Sequence, residues 1–173
     1  MLNPKRAMTP SQSEKALRFR ALHQEPGAFV IPNPWDAGSA RILAGLGFRA
    51  LATSSWASAA VHGRHDGELT RAEALAQARV IVTATDLPVS ADLGNGFGDG
   101  PAEAAETIRL AAETGVVGGS IEDATGDKGK PLYDLDLATE RVTAAVEAAR
   151  ALPFPFTLTA RAENFTRGNP QPG

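Results

Sequence analysis

The chain has 173 residues, 43% of them hydrophobic and 21% charged, with a net charge of −3 and no cysteine. This is an ordinary composition for one globular domain, and the acidic balance argues against nucleic acid or an anionic membrane as the main partner. The absence of cysteine excludes disulfides, thiolate nucleophiles and zinc–sulfur sites, no apolar run is long enough for a membrane span, and Met1–Arg6 lack an apolar signal core, so a cytoplasmic location is expected.

Ser11 to Gln24 reads as an N-terminal helix with Ser13 as a cap and Leu17, Phe19, Ala21 and Leu22 on its apolar face. Phe29–Ile31 reads as a short strand stopped by Pro32 and Pro34. Asp36 caps a helix through Ala40, Ile42, Leu43 and Leu46, closed by Gly45 or Gly47. Phe48 to Thr53 is the second strand, followed by Ser54, Ser55, Trp56 and a small-residue stretch to Val61. Residues 62–69 form a polar loop with His62, His65 and Asp66. Thr70 and Glu73 make a capping box for a helix to about Thr85.

Leu87 to Asp92 is the third strand. It ends in an acid and breaks into Gly94, Gly96, Gly98 and Gly100, where the backbone can turn sharply and pass close to a bound group. Pro101 opens a helix to about Gly115. Val116 to Ile121 is the fourth strand, ending in Glu122 and Asp123, and a polar loop with Lys128 and Lys130 follows. Asp136 caps a helix through Val142, Ala145, Val146 and Ala149. Phe156 to Thr159 is the fifth strand, ending in Arg161, Glu163 and Asn164.

Five alternations of strand and helix predict parallel strands with right-handed crossovers. The short apolar strands read as covered on both faces. Each hands over at its C-terminal end to polar or small residues, and in a parallel α/β fold those ends share one rim, where active sites lie. Two architectures fit: a doubly wound sheet or part of a (β/α)₈ barrel. The first strand is followed by Pro34-Trp-Asp-Ala-Gly38 rather than G-x-G-x-x-G, and no Lys-Ser/Thr follows the glycine loop, so neither phosphate-binding fingerprint is present.

Five segments in order carry a resemblance: Thr53-Ser-Ser55, Gly63-Arg-His-Asp-Gly67, Ala91-Asp-Leu-Gly-Asn-Gly-Phe-Gly98, Ser120-Ile-Glu-Asp123 and Thr159-Ala-Arg-Ala-Glu-Asn164. Together they resemble the phosphoenolpyruvate mutase/isocitrate lyase superfamily, over about Phe29 to Gly168. The resemblance implies a TIM-type (β/α)₈ barrel, Mg²⁺ (or Mn²⁺) and a small 2-oxo acid or phosphonate substrate. Cleaving or moving a C–C or P–C bond beside a 2-oxo acid generates an enolate, which a hard cation on oxygen ligands stabilises. By similarity Asp92 is the direct metal ligand, with Asp66 and Glu122 holding metal-bound waters. Arg161 pairs with the substrate carboxylate, and Ser54 and Ser55 receive the other end of the substrate. Glu122 and Lys128 join Arg161 as catalytic candidates, Lys128 as a lid cation. Gly96 and Trp35 are candidate substrate contacts, with packing under the rim as the competing role for Trp35 and Trp56. Glu163 and Asn164 read as residues that orient Arg161.

Three departures stand out. Gly94 occupies the position of the family's second carboxylate. Asp127-Lys-Gly-Lys-Pro131 replaces a Lys-Lys-Cys-Gly-His lid, which argues against isocitrate lyase activity itself. A barrel of this kind needs about 250 residues, so only its first five βα units are expected here. The open sheet would then have apolar edges that favour a homo-oligomer. The expected function is a Mg²⁺-dependent lyase or mutase on a 2-oxo acid. The alternative is a catalytically inactive fragment or 2-oxo acid binding module on the same scaffold.

Overall fold

The computed structural model describes residues 9–167; the reading made above of Met1–Arg6, and Gly168 at the end of the resemblance, lie outside them. The elements run α1 (Gln12–Gln24), α2 (Ala37–Gly45), β1 (Leu51–Ala52), α3 (Ser55–Val61), α4 (Arg71–Ala84), β2 (Val89–Asp92), α5 (Pro101–Glu113), β3 (Gly118–Glu122), α6 (Leu135–Arg150) and β4 (Thr157–Arg161). The strands form one parallel sheet in the order β1-β2-β3-β4. Each crossover advances by one place. A doubly wound sheet reverses direction at a switch point; this singly wound order is the one (β/α) barrels use.

Among the described residues there are four strands, not five. Phe29–Ile31 lies outside the sheet, and the contact comes one residue later, where the Ala52 N–H donates to Pro32 O at 3.1 Å. Two prolines remove ladder donors there, so pairing stops. The stretch to Val61 that follows the second strand is a helix from Ser55; Ser54 caps it, its hydroxyl accepting from the Ala57 N–H at 3.3 Å. The caps of α2 and α4 are Asp36 and Thr70, as expected. For α1 the cap is Ser11 rather than Ser13, because Glu14 then closes a reciprocal capping box. For α6 the N-cap position is Asp134, and Asp136 sits in the first turn.

The strands are not apolar on both faces. Val89, Ala91, Leu93 and Ile121 are buried against α4, α5 and α6. Ser90, Asp92, Ser120 and Glu122 alternate with them and are only half-buried on the other face. This is the period-2 pattern of a half-covered strand. The helices answer with apolar residues at helical spacing: Ala104, Ile108 and Ala111 on α5, and Ala145, Ala148 and Ala149 on α6.

A second cluster lies at the start of the strands. Ala16, Phe19 and Leu22 of α1 pack with Ala50 and Val117, the residues just before β1 and β3. Gly118 is required there. A Cβ on it would lie 2.7 Å from Thr157 O and 2.8 Å from the Phe19 ring. Buried Lys15 donates to Thr85 O at 2.9 Å, and Gln12 donates to Ala112 O and Val116 O, which ties α1 to carbonyls at the ends of α4 and α5. No helix among the described residues is long and apolar enough to cross a membrane.

Candidate active site

Because the strands are parallel, their last residues lie on one edge of the sheet. Asp92 ends β2, Glu122 ends β3 and Arg161 ends β4. Register places Asp92 opposite Ser120, and Glu122 opposite Arg161. Above this edge lies a cavity of about 570 Å³ whose walls include Ser55, Asp66, Asp92, Glu122 and Arg161.

Asp92 is held on both oxygens. Its Oδ2 accepts from the Ser55 N–H at 2.9 Å and its Oδ1 from the Gly94 N–H at 3.2 Å, while its own N–H donates to the Thr53 hydroxyl at 2.9 Å. Its position is therefore fixed by Thr53, just beyond β1, and by the start of α3 as well as by its own strand. Glu122 is held through its backbone, the N–H donating to Gly94 O at 2.9 Å. The two carboxylates are mostly shielded, 13% and 11% exposed.

Arg161 joins them. Its Nη2 donates to Glu122, its Nη1 lies 3.8 Å from Asp92 Oδ2, and its Nε lies 2.7 Å from Glu163 Oε1. One guanidinium thus meets three carboxylates. The Glu163 N–H donates in turn to Asp123 Oδ1 at 2.8 Å, which fixes the turn after β4. The donor set facing the cavity is all oxygen, which suits a hard divalent cation. Among the described residues no three His, Asp or Glu side chains form a ready-made cage. A small cation that keeps several waters needs only one or two carboxylates, and Asp92 and Glu122 supply two.

The other expected site residues lie as follows. Asp66 is exposed on the far wall of the cavity. Ser54 lies under the rim, lining a neighbouring 320 Å³ hollow with Asp92 and Arg161, and its hydroxyl is committed to capping α3. Trp35 is 57% exposed and outside the cavity wall, and Trp56 is 60% exposed, so neither packs beneath the rim. Gly96 lies off the wall too. Its close neighbour is α5, where a Cβ would stand 3.2 Å from Ala104 Cα, and its carbonyl accepts from Thr107 at 2.7 Å. Lys128 is exposed and off the wall, although Thr125 and Gly126 of the same loop line the cavity. Lys130 pairs with Asp134 at 2.5 Å.

Asn95, Phe97 and Arg167 were not singled out from the sequence, yet all line the cavity. Phe97 has φ 59°, rare for a bulky residue. Its place between two glycines in the loop after Asp92 was the available signal. Arg167, beyond the last strand, carries none.

A family model, phosphoenolpyruvate phosphomutase, matches residues 19–172. A 2-methylisocitrate lyase of Bacillus subtilis (strain 168) is 34% identical over 160 residues, 88% of this chain and 53% of that protein. The solved structure of a "putative lyase/mutase" from Burkholderia cenocepacia J2315 superposes with a TM-score of 0.90 at 59% identity, covering 92% of this chain and 57% of that one. The structure of 2,3-dimethylmalate lyase, a member of the PEP mutase/isocitrate lyase superfamily, gives a TM-score of 0.79 at 34% identity, over 87% of this chain and 54% of its own. The chain spans about half the length of the curated relatives it matches. The family model, the sequence relatives and the superposed structures agree, and the chain belongs to the phosphoenolpyruvate phosphomutase family, within the PEP mutase/isocitrate lyase superfamily.

Proposed function

We propose that this chain carries the metal side of a Mg²⁺-dependent active site that cleaves or moves the bond next to the carbonyl of a small 2-oxo acid. The observation that carries the reading is the meeting of Asp92, Glu122 and Arg161 on one cavity wall from three separate strands. When bound, Mg²⁺ would supply charge stabilisation to an enolate oxygen. Asp92 would hold the cation directly, and Glu122 and Asp66 would hold its waters. Mn²⁺ suits the same oxygen donors.

Arg161 binds the substrate carboxylate in this reading, with Glu163 fixing the plane of its fork through Nε. Ser55 has its backbone N–H on Asp92, which leaves its hydroxyl for the substrate. Lys128 serves as a lid cation only if its loop folds inward over Thr125 and Gly126. The complete (β/α)₈ barrel and a cytoplasmic setting belong to this reading. A homo-oligomer belongs to it as well.

Curated relatives include 2-methylisocitrate and 2,3-dimethylmalate lyases and an oxaloacetate decarboxylase, which favours an enzyme over an inactive binding module. The test is twofold: pyruvate release from candidate 2-oxo acids with and without Mg²⁺, and calorimetric titration with oxalate, an enolpyruvate mimic. Mg²⁺-dependent oxalate binding that is lost in Asp92→Asn is the expected result. Oxalate binding that ignores both Mg²⁺ and Asp92 would overturn the reading.

A further inference from the structure

The segment from Gly94 to Gly100 joins β2 to α5 and brings Asn95 and Phe97 to the cavity. It has little regular structure of its own, and Phe97 holds an unfavourable backbone angle. Such a conformation persists only where the surroundings over-determine it.

The surroundings are supplied by α6 and by Tyr133 just before it. Arg141 is 1% exposed and is the bulkiest fully buried side chain among the described residues. Its Nη1 donates to Gly98 O at 2.7 Å and to Gly100 O at 3.3 Å, and its Nη2 donates to Asn95 O. The guanidinium lies over the Tyr133 ring, 4.2 Å from its centroid. The Tyr133 hydroxyl donates to Asp99 at 2.7 Å and accepts from Asn95 Nδ2 at 3.0 Å. Two residues outside the loop therefore hold it at Asn95, Gly98, Asp99 and Gly100. The same loop offers Gly94 O to the Glu122 N–H, so its position is shared with a site carboxylate.

A buried guanidinium is costly in a core. Arg141 Nε even lacks a hydrogen-bond partner, and an apolar side chain would avoid that loss. What the arginine gives in return is a planar fork that reaches three carbonyls at once, which lysine cannot do.

We propose that Arg141 is a positioning residue of the active site: it clamps the Asn95–Gly100 backbone so that Asn95 and Phe97 present a fixed wall to the ligand. The role in ligand binding rests on the active-site reading above; the clamp itself does not. Outer residues that orient metal ligands typically contribute 10–100-fold to metal affinity or activity, and an effect at the lower end of that range is expected of the clamp.

The test compares Arg141→Lys, Tyr133→Phe and the double variant with the parent chain. Amide hydrogen exchange reads the clamp directly, because the Gly96 N–H donates to Leu93 O at 2.9 Å and the Phe97 N–H to Asn95 Oδ1 at 3.0 Å. Exchange at these amides should rise about tenfold in Arg141→Lys, with β2 and α5 unchanged. Oxalate affinity in Mg²⁺ should fall about tenfold, and the double variant should lose no more than the worse single one. A folded Arg141→Lys whose Gly96 and Phe97 exchange as in the parent would overturn the clamp, as would a uniform rise across the molecule. If Arg141→Lys does not fold, Tyr133→Phe decides, since it removes one hydroxyl and keeps the ring. A parent chain that binds no oxalate sinks the active-site reading, while the exchange result still judges the clamp.

Discussion

Glu122 and Arg161 are register partners across the β3–β4 ladder, and the arginine Nη2 donates to the glutamate carboxylate. Adjacent parallel strands thus place an acid and a base of the site side by side through backbone pairing alone. The ion pair needs no loop to form it, which makes its geometry a property of the sheet.

Asp92→Asn tests the acid at the end of β2. The amide keeps an oxygen for the Ser55 or Gly94 N–H but removes the charge. Mg²⁺-dependent turnover should fall by more than about 100-fold, beyond what an outer residue contributes. The melting temperature should move little. Activity within a few-fold of the parent would remove Asp92 from the site.

Arg161→Lys keeps a positive charge and loses the fork that meets Asp92, Glu122 and Glu163. The oxalate dissociation constant should rise by about 10–100-fold. Because the side chain is 42% exposed, stability should change by less than about 1 kcal/mol. Urea titration and calorimetry on the same sample separate the two outcomes. A large loss of stability with unchanged oxalate affinity would make Arg161 a structural residue only.

Gly118→Ala probes the packing of α1 beneath the sheet. Its methyl would press on Thr157 O and on the Phe19 ring, and the carbonyl cannot turn away as the ring can. A cost of about 1–3 kcal/mol is expected, read as a lower urea midpoint with an unchanged slope. A neutral result would mean that β3 and β4 can separate without penalty.

The pH dependence of folding should carry the signature of three helix caps. Hydrogen bonds from Ser11, Ser39 and Thr70 hold the carboxyls of Glu14, Asp36 and Glu73 below the ordinary carboxylate range. A folded-state pKa lowered in this way stabilises above the unfolded value and loses that contribution as pH falls through the folded value. The melting temperature should therefore drop as pH falls below about 4.5. The triple variant Glu14→Gln, Asp36→Asn, Glu73→Gln should drop less steeply. Parallel melting curves for the two proteins would show that the caps do not titrate with folding.

Local signals in the chain were readable where one segment decides the outcome. Asp36, and Thr70 with Glu73, announced helix starts, and the acids closing β2 and β3 announced the rim. Phe29–Ile31 misled because apolar β-formers look the same inside and beside a sheet, while Pro32 and Pro34 forbid the pairing. The glycines of β3 read as strand residues without a cause; Phe19, about a hundred residues earlier, supplies it for Gly118. Gly96 read as an approach to a ligand, and the close neighbour the structure shows is α5; sequence alone does not say which neighbour arrives. The Arg141 contacts join α6 to a loop 43 to 46 residues earlier, so no short window of sequence contains them.

The even-numbered residues Ser90, Asp92, Ser120 and Glu122 face the polar side while odd-numbered Val89, Ala91 and Ile121 face the helices. Inserting or deleting a single codon within β2 or β3 would exchange the two sets, driving a carboxylate into the alanine-lined layer and a valine or isoleucine into the pocket. Evolution can therefore edit the chemistry of these strands by replacement but not by changes of length, and length variation should collect in the connecting loops.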